Sequence, residues 1–150
     1  MLSDPIAVSV TRRSILIRTY QELIRIPTFV ERYEYLKLFG NVGRETFGFD
    51  RYINQQFYSS SQWRNIRHHV IARDLGMDLA MEGYEIHDKV IIHHMNPMLP
   101  SDIIYGNEDI LNPDHLITTN QRTHNAIHYG DASLLPQVLV ERFPGDTKLW

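Results

Sequence analysis

Lys89-Val90-Ile91-Ile92-His93-His94-Met95-Asn96-Pro97, then Leu116-Ile117-Thr118, then His124-Asn125-Ala126-Ile127-His128, is the stretch that decides the fold. Lys89 to His94 is a short β-branched run and predicts a strand. Pro97 and Pro100 force a loop after it, because proline lacks an amide donor and fixes its own φ. Leu116-Ile117-Thr118 predicts a second short strand. Thr118 with Gln121 has the spacing of a capping box, and Gly130 suits the residue just past a helix, so a helix is expected over about 119–129. His124 and His128, four apart, share one face of that helix.

Five of the eight histidines fall between positions 93 and 128. Imidazole is the commonest neutral metal ligand and the side chain best suited to proton transfer near pH 7. His93 and His94 are successive strand residues, so they point to opposite sides and should not bind the same ion. A doublet plus a helical pair can therefore supply both a metal site and a proton acceptor. A helical His pair alone is more often coincidence; the upstream doublet and the intervening strand make it a candidate site. His68, His69 and His87 lack that context and are expected at the surface.

Upstream, the spacing from Ile15 to Ile26 predicts a helix ended by Pro27. Thr28-Phe29-Val30-Glu31 has the form of a capping box for a helix reaching about Phe39 and stopping at Gly40. Asn41 to Gly48 is loop-like, and Asp50 to Tyr58 favours helix. Ser59-Ser60-Ser61 offers a cap for a further helix ended by Gly76, with Trp63, Ile66, Val70 and Ile71 at core spacing. The aromatic set Phe47, Phe49, Tyr52, Phe57 and Tyr58 is expected to pack rather than stack on bases. Residues 77–88 are irregular. Residues 1–13 read as a weakly anchored terminus, and the last twenty residues as an arm with a strand at Val138 to Glu141 and a Pro144-Gly145 turn.

Composition narrows the classes. The 150 residues suffice for a domain with a real core. The absence of cysteine excludes disulfides and thiolate metal sites. No apolar run approaches a membrane span, and Thr11-Arg12-Arg13 interrupts any leader-like stretch, so a cytoplasmic protein with no membrane partner is expected. A net charge of −3 argues against a generic basic nucleic-acid coater but not against a DNA enzyme with a local basic patch.

His93-His94-x-x-Pro97, a strand, and His124-x-x-x-His128 together resemble the motif of HNH (ββα-metal) endonucleases, most nearly the colicin-DNase spacing. Trp63-x-x-Ile66-Arg67-x-x-Val70-Ile71-x-Arg73-Asp74 is similar to the lead-in of many HNH proteins. Thr46-Phe47-Gly48-Phe49-Asp50-Arg51-Tyr52 and Thr123-His124-Asn125-Ala126-Ile127-His128-Tyr129-Gly130 resemble stretches of small bacteriophage HNH proteins. The resemblance implies an α+β fold: an N-terminal helical region over 1–76, a ββα-metal core over 77–130 and a C-terminal extended arm over 131–150. It implies a DNA endonuclease or nickase, phage-encoded and acting in the host cytoplasm. His93, His124 and His128 would be the metal ligands and His94 the general base. Mg²⁺ is the working ion by analogy, with Mn²⁺, Ni²⁺ or Zn²⁺ as alternatives, since imidazoles bind the later metals more tightly. Arg64, Arg67, Lys89 and Arg122 are candidates for DNA phosphates, with a solvated face as the plain alternative.

The chain departs from the family pattern twice. Where the motif expects an Asn that braces the loop carrying the base, this chain has His115; one of its ring nitrogens could serve, and nearby Asn112 could substitute. Asp78 and Met81 stand where many relatives of the motif carry the first pair of zinc-knuckle cysteines, so packing must replace that staple. A different class of function also fits: a virion or DNA-packaging accessory protein that keeps the fold as a metal-stapled module. A DNA-binding protein without turnover is a third. Homodimerisation or contact with phage packaging proteins is compatible with each.

Overall fold

The computed structural model describes residues 17–38 and 51–137. The terminus before residue 14, the loop at Asn41 to Gly48, the strand expected at Val138 to Glu141, the Pro144-Gly145 turn, Phe47, Phe49 and the Tyr52 side chain lie outside them.

Among the described residues, four helices precede the sheet: α1 (Tyr20–Leu23), α2 (Phe29–Leu36), α3 (Arg51–Ser59) and α4 (Ser61–Arg73). Strand β1 (Val90–His94) leads through the short helix α5 (Pro100–Ile104) and two 3-10 turns to β2 (Leu116–Asn120), and α6 (Gln121–Tyr129) follows. The protein is thus an α+β structure with a two-stranded antiparallel sheet, in which His93 pairs with Ile117 and His94 with Leu116.

Several boundaries differ from the sequence expectation for identifiable reasons. The helix expected over Ile15 to Ile26 is only Tyr20–Leu23 where described. Residues 17–19 stay out of the helix, with Thr19 extended, because the Asn96 side chain grips Arg18 on both sides, accepting from its amide at 2.7 Å and donating to its carbonyl at 2.9 Å. Thr28 caps α2 as expected, accepting from the Glu31 amide, but the helix stops at Leu36, not near Phe39. There the chain turns extended so that the Leu38 amide reaches the Ile127 carbonyl at 2.8 Å. Pro100 opens a helix, where its missing amide costs nothing. The cap of α6 is Asn120, whose side chain accepts from the Arg122 amide, while Thr118 is buried within β2. Gly130 does end α6 in the left-handed region at φ 64.

The sheet is buried on both faces, and strand alternation sorts its side chains into two clusters. On one face Ile92 and Leu116 pack with Phe57, Trp63 and Val70 of α3 and α4. On the other, Met95 and Ile117 pack with Leu23, Tyr33, Leu36, Ala126 and Ile127. Each such fully buried aliphatic side chain contributes about 1.5–3 kcal/mol. Trp63, Ile66 and Val70 are therefore core residues, as expected.

A two-stranded sheet leaves β2 with an unpaired outer edge, and residues 73–79 close it. Arg73 donates to the Leu116 and Pro113 carbonyls, both at 2.7 Å, and its guanidinium lies 3.7 Å over the Tyr20 ring. Asp74 accepts from the Thr118 amide at 2.8 Å, and Asp78 from the Asn120 amide at 2.9 Å. The Leu79 amide donates to the Thr118 carbonyl at 3.1 Å. Both carboxylates are buried. Burial raises the pKa of Asp78, opposed first by the Thr123 side chain and then by the amides of Asn120, Ala80 and Met81. No helix among the described residues is long and apolar enough to cross a membrane.

Two outcomes follow for stability. Asp78→Ala orphans the buried amides of Asn120 and Ala80 and should lower the unfolding free energy by about 2–6 kcal/mol in urea titrations, at roughly 1–3 kcal/mol per donor. A Cβ at Gly130 would stand 2.6 Å from the Leu38 carbonyl oxygen with φ at +64. Gly130→Ala should therefore cost about 2 kcal/mol or more in the same assay, backbone strain and the clash adding.

Candidate metal centre and its facing histidine

β1 and α6 bring three histidines together. His93 lies on the face of β1 that packs against α6, and His124 and His128 are one turn apart on that helix. One nitrogen from each lies within 4.8 Å of the others. The His124 and His128 Nε2 atoms are 3.0 Å apart. The His93 ring stands edge-on to both, with centroids 5.3 and 5.1 Å away. This group could hold a metal ion.

The chemistry of the donors fits such an ion. His93 is 1% exposed, and neither of its ring nitrogens has a hydrogen-bond partner. An unsatisfied buried polar atom costs about 1–3 kcal/mol, so a cation beside one nitrogen would remove a standing penalty. Burial, then the neighbouring imidazoles, holds the His93 pKa far below its usual value. Burial, then His128, pulls His124 down to about 4, and burial lowers His128. All three are therefore neutral at pH 7, the form that ligates.

His94 belongs to the opposite face. Its ring stacks on Trp63 at 5.3 Å between centroids and 13° between planes, with Phe57 at 6.3 Å. Its Nε2 lies 3.0 Å from the Ile110 carbonyl oxygen. A carbonyl only accepts, so Nε2 carries the hydrogen and Nδ1 keeps a lone pair. Burial brings the His94 pKa down to about 4, offset in part by that hydrogen bond.

The remaining candidates scatter. His115 lines a cavity of about 210 Å³ together with His94, Asn96, Asp102 and Asp109, and its backbone carbonyl accepts from the Met95 amide at 3.0 Å. The Asn112 side chain accepts from the Asp114 amide at 3.0 Å, bracing the turn that enters β2. Arg67 donates to the Val90 carbonyl at 3.1 Å and so supports β1, while Arg64, Lys89 and Arg122 are exposed. His68, His69 and His87 are also exposed. The sequence gives no sign of what Asn96 and Ile110 do, and it marks Asp74 only as the end of the Trp63 to Asp74 stretch. A backbone carbonyl carries no residue-type signal, and the partners of Asn96 and Asp74 lie 78 and 44 residues away.

No protein-family model, curated protein or solved structure matches this chain.

The depressed histidines set a pH dependence for the metal-free protein. A histidine whose folded pKa lies below its unfolded value stabilises the fold above the unfolded pKa, and that stability is lost as pH falls. With His94 and His124 at about 4, the urea midpoint should hold above pH 6.5 and drop as pH falls from about 6.5 to about 4. A midpoint flat across that window would contradict the burial of these rings.

Proposed function

We propose that this protein is a metal-dependent DNA endonuclease or nickase of the HNH, ββα-metal class, hydrolysing phosphodiester bonds. The observation that carries the reading is the split of the doublet across β1: His93 faces His124 and His128, while His94 stands apart with a hydrogen-bonded Nε2. In this reading His93, His124 and His128 hold a divalent cation, Mg²⁺ by analogy or Mn²⁺, Ni²⁺ or Zn²⁺. When bound, the ion supplies positive charge that polarises a phosphate oxygen and offsets charge on the leaving 3′ oxygen.

His94 is the general base. Its Nδ1 takes a proton from water as the water oxygen bonds to phosphorus and the bond to the 3′ oxygen breaks. The Ile110 carbonyl holds the tautomer that leaves Nδ1 able to accept. Burial keeps the ring neutral at pH 7, and a phosphate anion beside it would raise its proton affinity. In this reading Arg64, Lys89 and Arg122, all exposed, would meet DNA phosphates, whereas Arg67 donates to the Val90 carbonyl. One site cuts one strand, so a double-strand break needs a dimer or a second visit. The resemblance to phage HNH proteins makes the host cytoplasm the expected place of action.

A second reading rests on the same triad: an ion there would staple β1 to α6, which a virion or packaging protein could use without turnover. Nicking of supercoiled plasmid separates the two. Wild-type protein should nick with Mg²⁺, Mn²⁺ or Ni²⁺, and His94→Ala should lose roughly 10²–10⁴ of the rate while keeping metal affinity. Nicking that survives His94→Ala would remove His94 as the base; no nicking with any metal, beside a metal-raised Tm, would favour the staple. His124→Ala should abolish both the Tm rise with Ni²⁺ and the nicking.

A further inference from the structure

We infer that Trp63 is a positioning residue for His94, a role that rests on the nuclease reading above. Two restraints act on the His94 ring at right angles. The Ile110 carbonyl bonds Nε2 at 3.0 Å, in the plane of the ring. The Trp63 indole lies against the ring face, 13° from parallel, and so restrains the tilt that a single hydrogen bond leaves free. Together they leave Nδ1 as the one ring nitrogen without a restraint.

Trp63 is itself held firmly. It is 5% exposed. The Ser60 side chain caps α4 by accepting from the Trp63 amide at 3.2 Å, and the Ser60 hydroxyl donates to the Phe57 carbonyl at 2.7 Å. Phe57 and Tyr58 close on the indole at 5.4 and 5.1 Å between centroids. The α3–α4 corner thus fixes an aromatic plate against which the histidine lies. A filler of the core needs only volume at this position. A plate needs a flat face, and the two requirements separate under substitution.

The experiment compares wild type with Trp63→Phe and Trp63→Leu. Nitrogen-15 spectra of labelled histidine read the His94 tautomer without any need for turnover. Wild type and Trp63→Phe should show one Nε2–H tautomer, whereas Trp63→Leu should show averaging between tautomers. In nicking at saturating plasmid, Trp63→Leu should lower kcat roughly 10- to 100-fold with little change in KM, and Trp63→Phe should recover most of it. In the His94→Ala background Trp63→Leu should cause no further loss, because the two act as a unit. The Co²⁺ spectrum of the His93, His124 and His128 group should be the same in all three proteins, showing that the fold around the centre survives.

Unchanged His94 nitrogen signals in Trp63→Leu overturn the inference. So does a Trp63→Phe protein as slow as Trp63→Leu, or a full additional loss in the His94→Ala background. Wild-type protein that never nicks, with His94 locked as described, overturns the nuclease reading instead, and the part of Trp63 in hydrolysis with it.

Discussion

Two buried aspartates on the outer edge of β2 hold the arrangement in place. Among the described residues the sheet has no third strand to satisfy the outward amides of β2, and buried amides cannot be left to water. Asp74 and Asp78 accept from Thr118 and Asn120, Arg73 covers the Leu116 carbonyl, and the Leu79 amide covers that of Thr118. Side chains from one short stretch thus do what a strand would do. Asp78 also fixes the residue that caps α6, so the helix carrying His124 and His128 starts at a set height relative to β1.

Everything at the candidate centre follows from that registration. With β1 and β2 paired as they are, His93 must face the cluster of Met95, Ile117, Ala126 and Ile127, and His94 the cluster of Trp63 and Leu116. The two adjacent imidazoles therefore sit in different surroundings. His93 has two buried nitrogens with no protein partner and two imidazoles beside it; His94 has a carbonyl on one nitrogen and an indole on its face. The proposed division of labour between ligand and base is a consequence of strand alternation in a sheet buried on both sides.

Asp78 and Met81 play different parts in the fold. Where cysteines are absent, Asp78 and Met81 are both buried, one as a hydrogen-bond hub and the other in the core. A carboxyl group is costly to bury, and Asp78 offsets that cost by satisfying the Asn120 and Ala80 amides at once.

Local chemistry was legible from the sequence. The β-branched run before the doublet, the serines before Trp63, the Thr28 cap and the glycine after Tyr129 each signal their element through backbone preference or short-range hydrogen bonding, which neighbours in sequence settle between themselves. The four-residue spacing of His124 and His128 and the opposed faces of His93 and His94 are likewise local geometry. Tertiary structure alone decided the rest. It shortened the helix before Pro27 through the Asn96 grip on Arg18, moved the α6 cap from Thr118 to Asn120, and gave His94 the Ile110 carbonyl and the Trp63 face. Those contacts join residues far apart in the chain, and several use backbone atoms, which every residue carries alike. Residue types therefore announce which donors and acceptors are available, and only the packed chain determines which nitrogen is held, which is buried and which stands beside another imidazole.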